Sequence, residues 1–269
     1  MTNIIRSQFQ AHPFHLVSPS PWPVNVSFAL LFLTLSTVLT MHGFSNAGPY
    51  LGFALISVIL SMSYWWRDVI SEATYLGHHT LAVQKGINMG VALFIASEAL
   101  FFLAIFWAFF HSALSPTIEL GAQWPPMGIE AINPFELPLF NTVILLSSGV
   151  TVTYAHHSLI KGDRAASLYG LLATVILALV FTAFQGVEYA VSSFTISDGI
   201  FGSCFYLGTG FHGIHVMIGT AFIAVGLWRV VAYHSTDNHH LGLESSILYW
   251  HFVDVVWLFL YISIYYWGS

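Results

Sequence analysis

Seven long apolar stretches, at about residues 22–41, 50–66, 86–111, 139–156, 168–190, 200–229 and 246–267, constrain this chain more than any other feature. A helix gains 1.5 Å per residue, so about 20 apolar residues cross a hydrocarbon core about 30 Å thick. Breakers separate the stretches: HGFSNAGP after the first, a Pro-rich SPTIELGAQWPPMGIEAINPFELP after the third, KGDR after the fourth and SSFTISDG after the fifth. Only 7% of the residues are charged, against about 25% in a soluble domain. Such a chain cannot cover a water-facing surface. Inside lipid every backbone polar group needs an internal partner, which helices supply. The expectation is an all-α integral membrane protein, one polytopic domain over residues 1–269 with seven transmembrane helices. No basic run invites nucleic acid. A single cysteine, Cys204, excludes an intrachain disulfide framework and a Cys-rich metal site. The polar, Pro-rich N-terminal segment lacks both the apolar core of a signal peptide and the pattern of a transit peptide.

Seven spans put the two termini on opposite sides. Arg6 precedes the first span, and Arg67 and Lys85 bound the second connection. Lys161 and Arg164 lie in the fourth connection, and Arg229 closes the sixth span. All six basic residues therefore share one side, which random placement would give roughly one time in thirty; by the positive-inside rule the N-terminus is inside.

Within the third span lies ALFIASEALFFLAIFWAFFH, residues 92–111, with Glu98 as its one charged residue. Lys85 and His111 are each thirteen residues away, so Glu98 sits roughly 20 Å from either end, near mid-membrane. A carboxyl there costs about 2.5–3.5 kcal/mol on insertion scales and needs a partner or a water-filled cavity. The sixth span offers partners. Gly208, His212, His215, Gly219 and Gly226 share one helical face, and the third span has its own small residues in Gly86, Gly90, Ser97, Ala104 and Ala108. Helices three and six are expected to pack, with Glu98 bonded to His212 or His215. That intramembrane polar site could be a proton relay, a transport site, a lipid contact or simply a fastening between helices.

Fourteen histidines raise the question of metal. Three doublets, His78–His79, His156–His157 and His239–His240, fall on the basic side. Neighbouring side chains on a helix diverge by about 100°, so a doublet chelates poorly. None has a cysteine or carboxylate at zinc-motif spacing, and surface histidines are the expectation. His212 and His215 could together ligate one metal, but no second such pair is present to face them. In the last span His251, Asp254 and Trp257 share a face, read as a packing or subunit contact with proton conduction as the alternative. Gln185 and Glu188 form a polar edge in the fifth span. Arg67, after YWW and before Asp68, suits a lipid phosphate or an acidic neighbour at the interface. The residues alone indicate no catalytic constellation, no metal site and no cofactor site in this chain.

Ten ordered blocks carry a resemblance: PSPWP (19–23), WWRDVI (65–70), VQKGIN (83–88), SEALFF (97–102), FWAFFHS (106–112), WPPMGIEAINP (124–134), HHSLIKGDR (156–164), FTISDGIFGS (194–203), GFHGIHV (210–216) and YWHFVDVVWLFLYISIYYWGS (249–269). From about residue 12 onward the chain resembles the cytochrome c oxidase subunit 3 family, in its mitochondrially encoded, fungal form. The resemblance implies seven helices, with helices one and two separated from three to seven by a V-shaped cleft holding phospholipids. It implies a non-catalytic subunit in the inner mitochondrial membrane, its N-terminus in the matrix and its C-terminus in the intermembrane space. The expected partners are oxidase subunit 1 as main contact, subunit 2, small accessory subunits and structural phospholipids. Cytochrome c is the expected substrate of the complex, and haem and copper are expected in the neighbours. Glu98 matches the family's intramembrane glutamate. Arg67, His79, Trp107 and Arg229 match positions similar to lipid-contacting ones. The competing readings are a proton-coupled transporter using Glu98 and a haem or copper enzyme using His212 and His215.

Overall fold

A computed structural model describes residues 12–268. Arg6, placed on the basic side by sequence, lies outside the described residues. Among those residues there is no strand, and seven helices are long and apolar enough to cross a membrane. They are α1 (Trp22–Met41), α2 (Ala47–Thr74), α3 (Leu81–Leu114), α4 (Leu137–Ile160), α5 (Arg164–Val191), α6 (Gly199–Val231) and α7 (Leu241–Leu260), the last continued by a π-helical turn at Tyr261–Tyr266. A short 3₁₀ turn, Ile118–Leu120, interrupts the Pro-rich connection. Most helices outrun their apolar stretches because hydropathy marks only the part in hydrocarbon. The extra turns are interfacial: α2 runs on through Arg67, Asp68 and Glu72, and α3 begins before Lys85.

Within the expected polytopic domain the chain divides into two compact units, Met1–Ile87 and Asn88–Ser269. In the first unit α1 and α2 pair, burying the small residues Ala29, Ser36, Ala47 and Ala54. Most of the other apolar side chains of both helices are exposed, as lipid-facing helices require. The hairpin is tied at one end: Trp22 Nε1–H donates to Asp68, and the Trp22 ring stacks on Tyr64 at 5.3 Å.

In the second unit α4 pairs with α5, α5 with α6, α6 with α7, and α7 returns to α4. Its core holds Trp250, Trp257, Phe181, Leu171, Ile223 and Leu260. Two buried rungs join α4 to α7: Trp257 Nε1–H donates to Thr142 Oγ1 and Trp250 Nε1–H to Ser148 Oγ, both at 2.9 Å. The expected close packing of α3 on α6 through small residues does not occur. Those helices meet through longer side chains, Glu98 on His215 and Phe101 on Phe211, while a side chain added at Gly86 or Gly90 would meet nothing within 4 Å. The glycine face of α6 receives α7 instead: Gly219 lies against Trp250 and Gly226 against Leu243. Large indole and leucine side chains need the space that a missing Cβ leaves.

Candidate functional site: the polar groups inside the helices

Glu98 lies on α3 with a side chain about one quarter exposed, and His215 on α6 is largely buried. Glu98 Oε2 and His215 Nε2 are 2.7 Å apart. Of the two imidazoles that sequence offered, the structure joins Glu98 to His215. His215 Nδ1–H donates to the Phe211 carbonyl at 2.6 Å, leaving Nε2 to share a single proton with the carboxyl. The pair is then neutral overall, either as a protonated carboxyl with neutral imidazole or as carboxylate with imidazolium, which is the arrangement a low-dielectric setting tolerates. Phe102 meets the His215 ring edge-on at 5.0 Å, and Tyr249 stacks over it at 6.3 Å.

His212 goes elsewhere. It is 1% exposed, its Nε2–H donates to the Val253 carbonyl of α7 at 3.2 Å, and its ring packs on Trp257 and Phe181. The two α6 histidines therefore serve different neighbours and do not converge on a common point.

The last-helix pair faces a groove between α4 and α7 of about 730 Å³, lined by Val150, Thr153, His157, Lys161, His251 and Asp254 among others. His251 Nδ1 is 3.5 Å from Asp254 Oδ2, and Thr153 Oγ1 is 3.3 Å from His251 Nε2. Gly149 makes room for the carboxylate, since a Cβ there would stand 2.7 Å from Asp254 Oδ2. Asp254 Oδ1 is buried without a hydrogen-bond partner.

Gln185 and Glu188 are an interior network, not an edge: they are 5% and 1% exposed. Tyr265 O–H donates to Glu188 Oε1 at 2.6 Å, and Gln185 Nε2–H donates to the same oxygen at 3.1 Å. Sequence reasoning missed Tyr265, which is carried inward beyond the end of α7 by the π-helical turn. Glu188 also lines a cavity of about 260 Å³ together with Glu130 and Glu136.

The residues matched to lipid contacts are spread over several elements. Arg67 is exposed, ion-paired to Asp68 at 3.0 Å and set against the Tyr64 ring. His79 lies in the α2–α3 connection, where its carbonyl accepts Gln84 Nε2–H at 2.8 Å. Trp107 is strongly exposed on α3. Arg229 is partly buried near the end of α6, its guanidinium close enough that a Cβ on Gly242 would approach Nη1 to 2.5 Å. In the connection after α3, the Glu119 carboxyl is held below its usual range by its own backbone N–H and by Thr117.

Comparison with known proteins adds sequence-wide support. A family model described as cytochrome c oxidase subunit III matches residues 12–269. Three similar relatives, each named cytochrome c oxidase subunit 3, come from fungi. They are from Neurospora crassa (71% identical), Podospora anserina (72%) and Pyricularia grisea (72%), every one over the full length of both chains.

Proposed function

From the premise that this chain belongs to the cytochrome c oxidase subunit III family and is a subunit of respiratory complex IV, we propose that it is a non-catalytic core subunit, one that supports assembly, stability, lipid binding and sustained turnover. The observation that carries this reading is full-length identity above 70% to relatives bearing that name. A multipass protein of the inner mitochondrial membrane follows from those relatives together with the seven spans. In this reading the chain has no redox centre. Haem and copper reside in subunits 1 and 2, subunit 1 is the main contact, small accessory subunits attach, and electrons pass from cytochrome c to dioxygen beside it. The N-terminus faces the matrix and the C-terminus the intermembrane space.

Site geometry fits that division of labour. The pair Glu98–His215 links two helices, with two rings set against the imidazole, which is the form of an interhelical fastening. The α4–α7 groove is lined by apolar side chains such as Val150 and Leu258 together with the polar His251 and Asp254. We assign the groove to contact with a neighbouring subunit, which can meet the exposed His251 side chain there. Arg67, His79, Trp107 and Arg229 are assigned to phospholipid, the cations to headgroup phosphates and Trp107 to the interfacial or acyl region. The reading as a stand-alone proton-coupled transporter built on Glu98 is not favoured, because the full-length relatives are named as oxidase subunits.

Replacing Glu98 by Ala and by Gln in the assembled oxidase tests the role. We expect normal initial electron transfer in both, with a shorter active lifetime during turnover in Glu98→Ala. Abolished initial electron transfer with haem and copper contents intact would make the non-catalytic reading wrong.

A further inference from the structure

Three carboxyl groups line one cavity, and no described Lys or Arg of this chain meets them there. The cavity, of about 260 Å³, lies where the α3–α4 connection packs on the end of α5, and Glu130, Glu136 and Glu188 line it beside Asn133, Ser192 and Ser193. Short polar contacts fix its walls. Ser193 Oγ–H donates to the Glu130 carbonyl at 3.0 Å, Asn133 Nδ2–H to Glu136 Oε1 at 2.9 Å and Tyr261 O–H to the Pro134 carbonyl at 3.3 Å. Glu130 and Glu136 are exposed, whereas Glu188 is 1% exposed. Glu188 Oε1 already accepts from Tyr265 and Gln185. Its Oε2 is buried and accepts from no described residue. A buried carboxylate without a counter-charge is costly, and two further carboxylates beside it add repulsion. Among the described residues no Lys or Arg lines the cavity. Lys161, Arg164 and Arg229 stand at the far ends of α4, α5 and α6.

We infer that the cavity receives an arginine side chain of a neighbouring subunit, its guanidinium donating to Glu188 Oε2 and to Glu130 and Glu136 at the rim. Charge selects the class of occupant, and spacing selects the guanidinium. The three carboxyl groups are not among the described donor sets that close within 4.8 Å, so they do not form a chelate for a bare metal ion. A guanidinium spreads five N–H donors around a rigid plane and reaches acceptors on several sides, whereas a lysine ammonium is a compact point charge. Arginine is also enriched in protein–protein interfaces, where lysine is depleted. This contact rests on the reading of the chain as a subunit of a larger assembly, and it gives that assembly one specific polar joint, at the end of the α4–α5 pair away from Lys161 and Arg164.

Glu188→Gln separates the joint from the internal network. Its amide oxygen can still accept from Tyr265 and Gln185, while its amide nitrogen puts a donor where Oε2 had offered an acceptor. The purified assembly is washed in mild detergent at rising NaCl concentration, and the subunits that remain are quantified by mass spectrometry. One neighbouring subunit should leave Glu188→Gln at lower salt than the unsubstituted assembly, dissociating at least about tenfold faster. The double variant Glu130→Gln/Glu136→Gln, which changes only exposed carboxyls, should loosen the same subunit, and it carries the test if Glu188→Gln does not assemble. Glu119→Gln, in the same connection but outside the cavity lining, should change nothing. Identical retention of every subunit in the assembled variants would overturn the assignment. So would a thermal midpoint raised by Ca²⁺ or dilute guanidinium chloride in the unsubstituted assembly but not in Glu188→Gln, with every subunit retained in both, because the occupant would then be a free cation. Haem and copper are counted in the same samples: their absence from the unsubstituted assembly would count against the subunit reading itself, and their presence beside unaltered retention against the arginine joint alone.

Discussion

Glu98 and His215 show what a single proton can do inside a membrane. Because His215 Nδ1–H is committed to Phe211, the carboxyl and Nε2 act as one unit, and removing either leaves a polar group without its partner. A double-mutant cycle on Glu98→Ala and His215→Ala, read as thermal inactivation of the assembly, should give a coupling of about 0.6–2 kcal/mol; additive effects would show that the contact contributes nothing. Glu98→Gln should lose less than Glu98→Ala, since the amide can still donate to Nε2. Gly149 makes a second prediction. A methyl placed 2.7 Å from the Asp254 carboxylate overpacks a buried site, so Gly149→Ala should destabilise the assembly by about 1–3 kcal/mol, measurable as a lower thermal midpoint. At this scale the sequence showed that Glu98 needs a partner and limited the choice to two histidines. It could not choose between them, because positions three apart on a helix differ by about 60° in direction, enough for His212 to meet α7 and His215 to meet α3.

Among the elements, α4 and α7 are held most specifically. Their Trp250–Ser148 and Trp257–Thr142 rungs bury two indole N–H groups that have no water to turn to. Thr142→Val keeps the shape and removes the acceptor, so it should cost about 1–3 kcal/mol in a thermal-inactivation assay, while Thr142→Ser should be nearly neutral. The glycines of α6 were legible as a close-packing face. Their occupant was not, since a glycine stripe states that something large approaches without saying from which helix. The π-helical turn at Tyr261–Tyr266 was illegible for a different reason. The local sequence is ordinary apolar helix, and the extra residue per turn is fixed by tertiary partners, with Tyr265 reaching Glu188 and Tyr261 reaching the Pro134 carbonyl.

Over the whole molecule the distribution of basic residues is the ground for the proposed orientation. Arg164, opening α5, spans to the last turn of α6, donating to the Val230 and Val231 carbonyls at 3.2 and 2.8 Å and lying 3.8 Å from the Tyr233 ring. A guanidinium placed there caps a helix C-terminus, and in the proposed orientation it lies at the inner face. Protease digestion of mitoplasts, with epitope tags at each end, should remove the C-terminal tag and spare the N-terminal one; the reverse pattern would overturn the matrix-inside assignment. Arg164→Lys keeps the charge but loses the forked donation, so topology should be unchanged while thermal stability falls.

Composition and the seven apolar lengths were determined by the sequence, because lipid imposes those demands on each segment separately. Which buried groups meet was decided only by the tertiary structure. A hydrogen bond such as that of Glu98 to His215, or a carboxyl cluster such as Glu130, Glu136 and Glu188, joins residues far apart along the chain, and its existence depends on angstrom-scale placement that no local spacing encodes.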